Sequence, residues 1–94
     1  MYAVIRTYAG NAEIADQLAA HADEVKRLVS GVAGFRGYYL VRTEGGCTTF
    51  TVYDDQTGAE ESTRLAADWI RDHESEITQS TPQVASGEVV IQAS

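Results

Sequence analysis

"GFRGYYLVRTEGGCTTFTVY" (Gly34–Tyr53) is the stretch whose reading decides the fold. Two runs rich in aromatic, Thr and β-branched residues flank "TEGG" (Thr43–Gly46). Gly45-Gly46 can take positive φ there, so the segment reads as a β-hairpin. In the first arm Phe35, Gly37, Tyr39 and Val41 fall on one side; Arg36, Tyr38, Leu40 and Arg42 fall on the other. Both faces carry apolar bulk, whereas a half-solvated antiparallel sheet is polar on one side. The hairpin therefore expects cover on both faces. Tyr38 and Tyr39 point opposite ways and cannot line the same cavity.

Helical patterns lie on either side of it. From Ala12 to about Val29 the apolar positions Ile14, Leu18, Ala22, Val25 and Leu28 recur at helical spacing. Asn11 is placed as a cap, Glu13 and Lys26-Arg27 suit the helix dipole, and Ser30-Gly31 supplies the stop. Downstream, "TGAE" (Thr57–Glu60) reads as a capping box opening a helix over Gly58 to about Glu74. Its inner stripe is Ala59, Thr63, Ala66, Ile70 and His73, flanked by Leu65 and Trp69. "YAVIRTY" (Tyr2–Tyr8) alternates as a first strand, and "VASGEVVIQ" (Val84–Gln92) reads as a last one after a polar linker ending at Pro82.

The order is β-α-β-β-α-β. Right-handed crossovers turn it into an α+β, ferredoxin-like plait: one domain over residues 1–94, a four-stranded antiparallel sheet with both helices on one face. The opposite face has nothing from its own chain to cover it. With Tyr2, Val4 and Tyr8 expected there, beside one row of the hairpin, the remedy is a second copy. A homodimer joined through the helix-free face, forming a dimeric α/β barrel, is the expectation.

Composition narrows the partners. Seven basic against fourteen acidic residues leave a formal charge of −7, which repels phosphate backbones and anionic lipid surfaces. Nucleic acid and membrane are not expected. The single cysteine, Cys47, rules out an internal disulfide and a thiolate metal cluster; it reads as packing. No apolar run reaches a membrane span and no charged-then-apolar leader is read, so the expected location is the cytoplasm.

The element order, "GFRGYYLV" (Gly34–Val41), the junction "VYDDQTGAEES" (Val52–Ser62) and the closing "GEVVI" (Gly87–Ile91) resemble the dimeric α/β-barrel superfamily. More narrowly, the chain is similar to small stand-alone proteins of the antibiotic-biosynthesis-monooxygenase type. That resemblance implies cofactor-free oxidation of aromatic or polyketide-like substrates by an Asn and a Trp on one strand. Those two positions fall on Thr49 and Tyr53 here, and Thr lacks the paired donor and acceptor of an amide. Haem-degrading relatives use an Asn, a Trp and a His; the matching positions are Thr7, Ser62 and His73, of which only His73 agrees.

From the residues themselves, His21 and His73 sit on the apolar stripes of their helices, so two imidazoles and the Trp69 indole could border one cleft. Histidine titrates near neutrality, which suits acid/base work; the bland alternative is two half-buried histidines bonded to carbonyls or to a carboxylate such as Asp72. No third side chain shares the stripe as a metal ligand, so neither metal nor cofactor is expected. Arg6 and Arg36 stand on otherwise apolar strands and need partners; Glu88 in an interface ion pair is the commoner explanation, an anion site the other. The resulting expectation is a homodimer with a cleft per subunit for a small apolar or aromatic molecule, bordered by Thr7, Thr49, Tyr53 and Trp69. The enzymatic alternative is a cofactor-independent monooxygenase with His21 or His73 as proton acceptor. A third reading is purely structural, with no cleft.

Overall fold

A computed structural model of the chain describes residues 1–10, 13–75 and 81–93. In chain order the elements are β1 (Tyr2–Ala9), α1 (Ile14–Ala20), α2 (Ala22–Ser30), β2 (Phe35–Thr43), β3 (Gly46–Tyr53), α3 (Gln56–Asp72) and β4 (Gln83–Glu88). The four strands form one antiparallel sheet in the order β2-β3-β1-β4. This is the expected ferredoxin-like α+β plait, with the helices packed on one face of the sheet.

The first helix is not continuous. His21 leaves the helical region (φ −107, ψ 27) and its N–H donates to Leu18 O at 3.1 Å, a tightened turn that ends α1 before α2 begins. The apolar spacing runs through this break without a gap, so the pattern carried no sign of it. The expected Asn11 cap lies outside the described residues. Helix α3 also starts earlier than expected: Asp55, in extended conformation, is the N-cap, and its carboxylate accepts from the Gly58 N–H at 3.1 Å. An anionic cap serves the exposed N–H groups and the dipole together, and it displaces the Thr57–Glu60 box.

The sheet faces are the reverse of the expectation. Tyr2, Val4, Arg6 and Tyr8 turn toward the helices, and Ala3, Ile5 and Thr7 lie on the uncovered side. Alternation says which residues share a face but not which face the helices choose; the bulkier row packs inward. Buried on the helix side are two clusters, Tyr8, Ile14, Ala15, Leu18, Val25 and Cys47 at one end and Val4, Val32, Tyr53 and Ala59 at the other. Each fully buried aliphatic side chain contributes roughly 1.5–3 kcal/mol. A bulge between Phe35 and Gly37 turns Phe35 inward, while Tyr39 and Val41 stay on the uncovered side. Phe35 was expected to share their face.

On that uncovered face the register lines up Ile5, Phe50 and Tyr39 in one row and Thr7, Thr48 and Val41 in the next. Tyr39 is 67% exposed, and Val41 and Phe50 are exposed too. The last strand is shorter than expected. Pairing stops at Glu88, the Val89 N–H donates to Met1 O, and Val90 and Ile91 stand in solvent. No helix among the described residues is long and apolar enough to cross a membrane.

Candidate functional site

Between the two apolar clusters the sheet rows Val4–Thr51 and Arg6–Thr49 carry a polar belt under the helices. Strand alternation puts Arg6 there: it follows Val4 and precedes Tyr8 on the inward side, and it is only 5% exposed. Its Nη2 donates to Thr63 Oγ1 on α3 at 2.8 Å, and its Nη1 makes a longer contact of 3.5 Å to Thr51 Oγ1. Thr63 in turn donates to Ala59 O at 3.0 Å, so its hydroxyl is fully used. Neither Glu88 nor any other carboxylate among the described residues pairs with Arg6. Of the two arginines on β2, Arg36 pairs with Asp54 and Arg42 with Asp16, both at the surface. The expectation of an interface ion pair through Glu88 is therefore not met.

Three phenols surround the guanidinium. Burial pushes the Tyr38 phenol from 10.0 up to about 12, and it raises those of Tyr8 and Tyr53 as well. They stay protonated near neutrality and supply no negative charge. Burial pulls Arg6 below its ordinary range, with the phenols opposing; an arginine remains a cation nonetheless.

Thr49, across from Arg6 in the sheet, is 4% exposed, and its Oγ1 has no hydrogen-bond partner among the described residues. It lines a small cavity of about 30 Å³ with Arg6, Tyr8, Leu18, Tyr38 and Trp69. On the other side of Arg6, between α3, β1 and β4, a cleft of about 310 Å³ is lined by Arg6, Tyr8, Thr63, Ala66, Ile70 and Val84. Arg6, Tyr8, Ala66 and Ile70 belong to both spaces. The cleft has an apolar body and a polar, cationic floor.

Trp69 closes one side of the inner cavity and leads to the histidines. Its indole stacks on His73 at 4.1 Å and meets His21 edge-on at 5.5 Å; the two imidazoles are themselves 5.5 Å apart. Glu24 Oε2 gathers the group, accepting from Trp69 Nε1 at 3.2 Å and lying 3.3 Å from His73 Nε2 and 3.8 Å from His21 Nδ1. His73 Nδ1 donates to Trp69 O at 2.7 Å. Its contact to Glu24 is thus an ion pair when the second ring nitrogen is protonated too. The carboxylate beside the histidines is Glu24 and not Asp72.

The expected site residues divide. His21, His73 and Trp69 come together, and Thr49 and Trp69 line one cavity. The histidines stand behind the indole and line neither space. Thr7 points to the uncovered face, paired with Thr48, so it cannot join them. Tyr53 is fully buried in the far cluster, its hydroxyl donating to Val29 O at 2.8 Å. Tyr8, Tyr38 and Thr63 were missed as site residues, and Arg6 was read first as an interface ion pair and only second as an anion site. The signal for Arg6 was present: one charge between Val4 and Tyr8 on an apolar strand face. Among the described residues no group of three His, Cys, Asp or Glu is placed to hold a metal ion. Cys47 is buried, and burial raises its thiol.

No family model matches the sequence, and no curated protein does. Solved structures do match in shape. A mutant of MhuD with two manganese protoporphyrin IX bound per active site has a TM-score of 0.77 at 16% identity, over 100% of this chain and 99% of that one. SnoaB, a cofactor-independent oxygenase from Streptomyces nogalater, has a TM-score of 0.65 at 15% identity, over 97% and 93%. A dimeric ferredoxin-like protein from an uncultured marine organism has a TM-score of 0.59 at 13% identity, over 98% and 95%. At these identities the likeness is one of fold: this chain shares the ferredoxin-like α+β plait with them.

Proposed function

We propose that the protein is a homodimer, joined through its helix-free sheet face, that binds a small apolar or aromatic molecule in the cleft between α3 and the sheet. One observation carries the binding reading: a cleft of about 310 Å³, apolar along Ala66, Ile70 and Val84, that ends on buried polar groups. That combination, at the small end of ligand-pocket sizes, is how small-molecule sites are built. The dimer rests on the row Ile5, Phe50 and Tyr39 and on exposed Val90 and Ile91, and a neighbour in fold is itself dimeric.

Trp69, the single tryptophan of the chain, reports on the inner wall. Titration with 1-naphthol should quench its fluorescence saturably and raise the melting temperature. Unchanged fluorescence and melting across a panel of naphthols and anthraquinones would sink the cleft.

A second reading, cofactor-independent oxidation of an aromatic or polyketide-like substrate, is favoured by the stacked Trp69–His73 pair beside the cavity. SnoaB, a fold neighbour, is such an oxygenase. Here His73, held by Glu24 behind the indole, would take the substrate's proton only once the Trp69 side chain shifts aside. Oxygen consumption with dihydroxynaphthalenes should then fall in His73→Ala; a rate that survives the substitution removes His73 from the chemistry.

A further inference from the structure

An isolated cation inside a protein is unfavourable, and evolution keeps one where something else supplies the opposite charge. Arg6 is in that position. It is 5% exposed, its hydrogen bonds among the described residues are to two neutral hydroxyls, and the phenols around it are neutral. A guanidinium has five donors in a planar fork, and two of them are used. Directly across the sheet, the Thr49 hydroxyl is buried, with neither donor nor acceptor role filled by any described residue. These are two separate shortages, one of charge and one of hydrogen bonding, in side chains that share one cavity. A water in a space of about 30 Å³ would meet the hydrogen bond but not the charge.

We propose that the molecule bound in the cleft is a small organic carboxylate, its apolar body along Ala66, Ile70 and Val84 and its anionic end on Arg6, at the border that the cleft shares with the inner cavity, where the Thr49 hydroxyl supplies a second donor. The assignment rests on the cleft reading above and narrows it to an anion. A carboxylate matches the guanidinium fork in shape and accepts from both it and the threonine. It brings the one charge the site lacks. The chain's overall charge of −7 does not oppose this, because surface charges are screened by salt within about 8–10 Å, whereas a desolvated pair is screened much less.

The experiment compares matched probes by calorimetry on the full chain at neutral pH: 2-naphthoate against 2-naphthamide, and benzoate against benzamide. The carboxylates should bind at least about 10-fold tighter than the amides, the size expected for charged hydrogen bonds in a desolvated site. Arg6→Met should erase that preference by weakening the carboxylate much more than the amide, and Arg6→Lys should keep part of it. Thr49→Val should weaken the carboxylate about 3-fold or more and the amide less. If Arg6→Met does not fold, the wild-type ratio and Thr49→Val still decide. Equal binding of acid and amide overturns the anion assignment and leaves the cleft standing. A preference that survives both Arg6→Met and Thr49→Val also overturns it. No binding by any probe removes the cleft and this assignment together.

Discussion

Thr49 and the buried tyrosines show how far single side chains set the behaviour of this site. A buried hydroxyl without a partner costs about 1–3 kcal/mol, and valine has nearly the same shape. Ligand-free Thr49→Val should therefore be more stable than the parent by about 1 kcal/mol, read as a higher urea midpoint with unchanged slope. A lower midpoint would mean that Oγ1 has a partner in solution. The phenols give a pH dependence with a definite sign. Tyr38 ionises near 10.0 when unfolded and near about 12 when folded, because burial disfavours its anion. Between those values the unfolded chain has lost the proton that the native chain still holds. Stability is thus intact below pH 10 and falls as pH rises toward 12, by about 1.4 kcal/mol per pH unit for each such phenol. Absorbance at 295 nm should rise together with loss of structure; tyrosines titrating freely in a folded protein would contradict their burial. None of this could be assigned from sequence, because Thr49 and Tyr53 sit on one strand face yet end in different surroundings, one in the polar belt and the other in the far apolar cluster.

At the scale of elements, the hairpin was legible because its turn and strand residues agree with each other. Gly45 takes φ +78 at the turn, and Gly46 fills a second requirement that the sequence did not advertise. A Cβ on Gly46 would lie 1.8 Å from Tyr8 O, a backbone atom of the neighbouring strand. Gly46→Ala must push β3 off β1 and should cost about 3 kcal/mol or more, at the upper end for overpacking; thermal melting measures it, and a loss under about 1 kcal/mol would mean that the strands separate easily. The break at His21 shows the opposite case. Apolar spacing continued across it, and only packing on the sheet set the angle between α1 and α2. That angle brings His21 to Trp69 and His73, so the cluster is a tertiary product.

For the whole molecule, the decisive feature is a sheet covered on one side. Covering about 400 Å² of apolar surface is worth roughly 10 kcal/mol per subunit before association costs. Under the proposed dimer, light scattering should return twice the chain mass of 10.2 kDa. Phe50→Glu, in the middle of the row Ile5, Phe50 and Tyr39, should shift the particle to a monomer with the helical signal kept. A parent chain that already scatters as a monomer ends the idea. A Phe50→Glu dimer would move the interface elsewhere.

The succession of strands and helical regions, the hairpin turn and the alternation along β1 and β3 were determined by the sequence alone, since these follow from local backbone preference and the period of apolar residues; the break at His21 and the bulge at Phe35 were not. Which face of β1 meets the helices was decided only by tertiary packing, because alternation is symmetric between the two sides of a sheet. That single choice moved Arg6 from an expected interface to the floor of a cleft and sent Thr7 to the uncovered face.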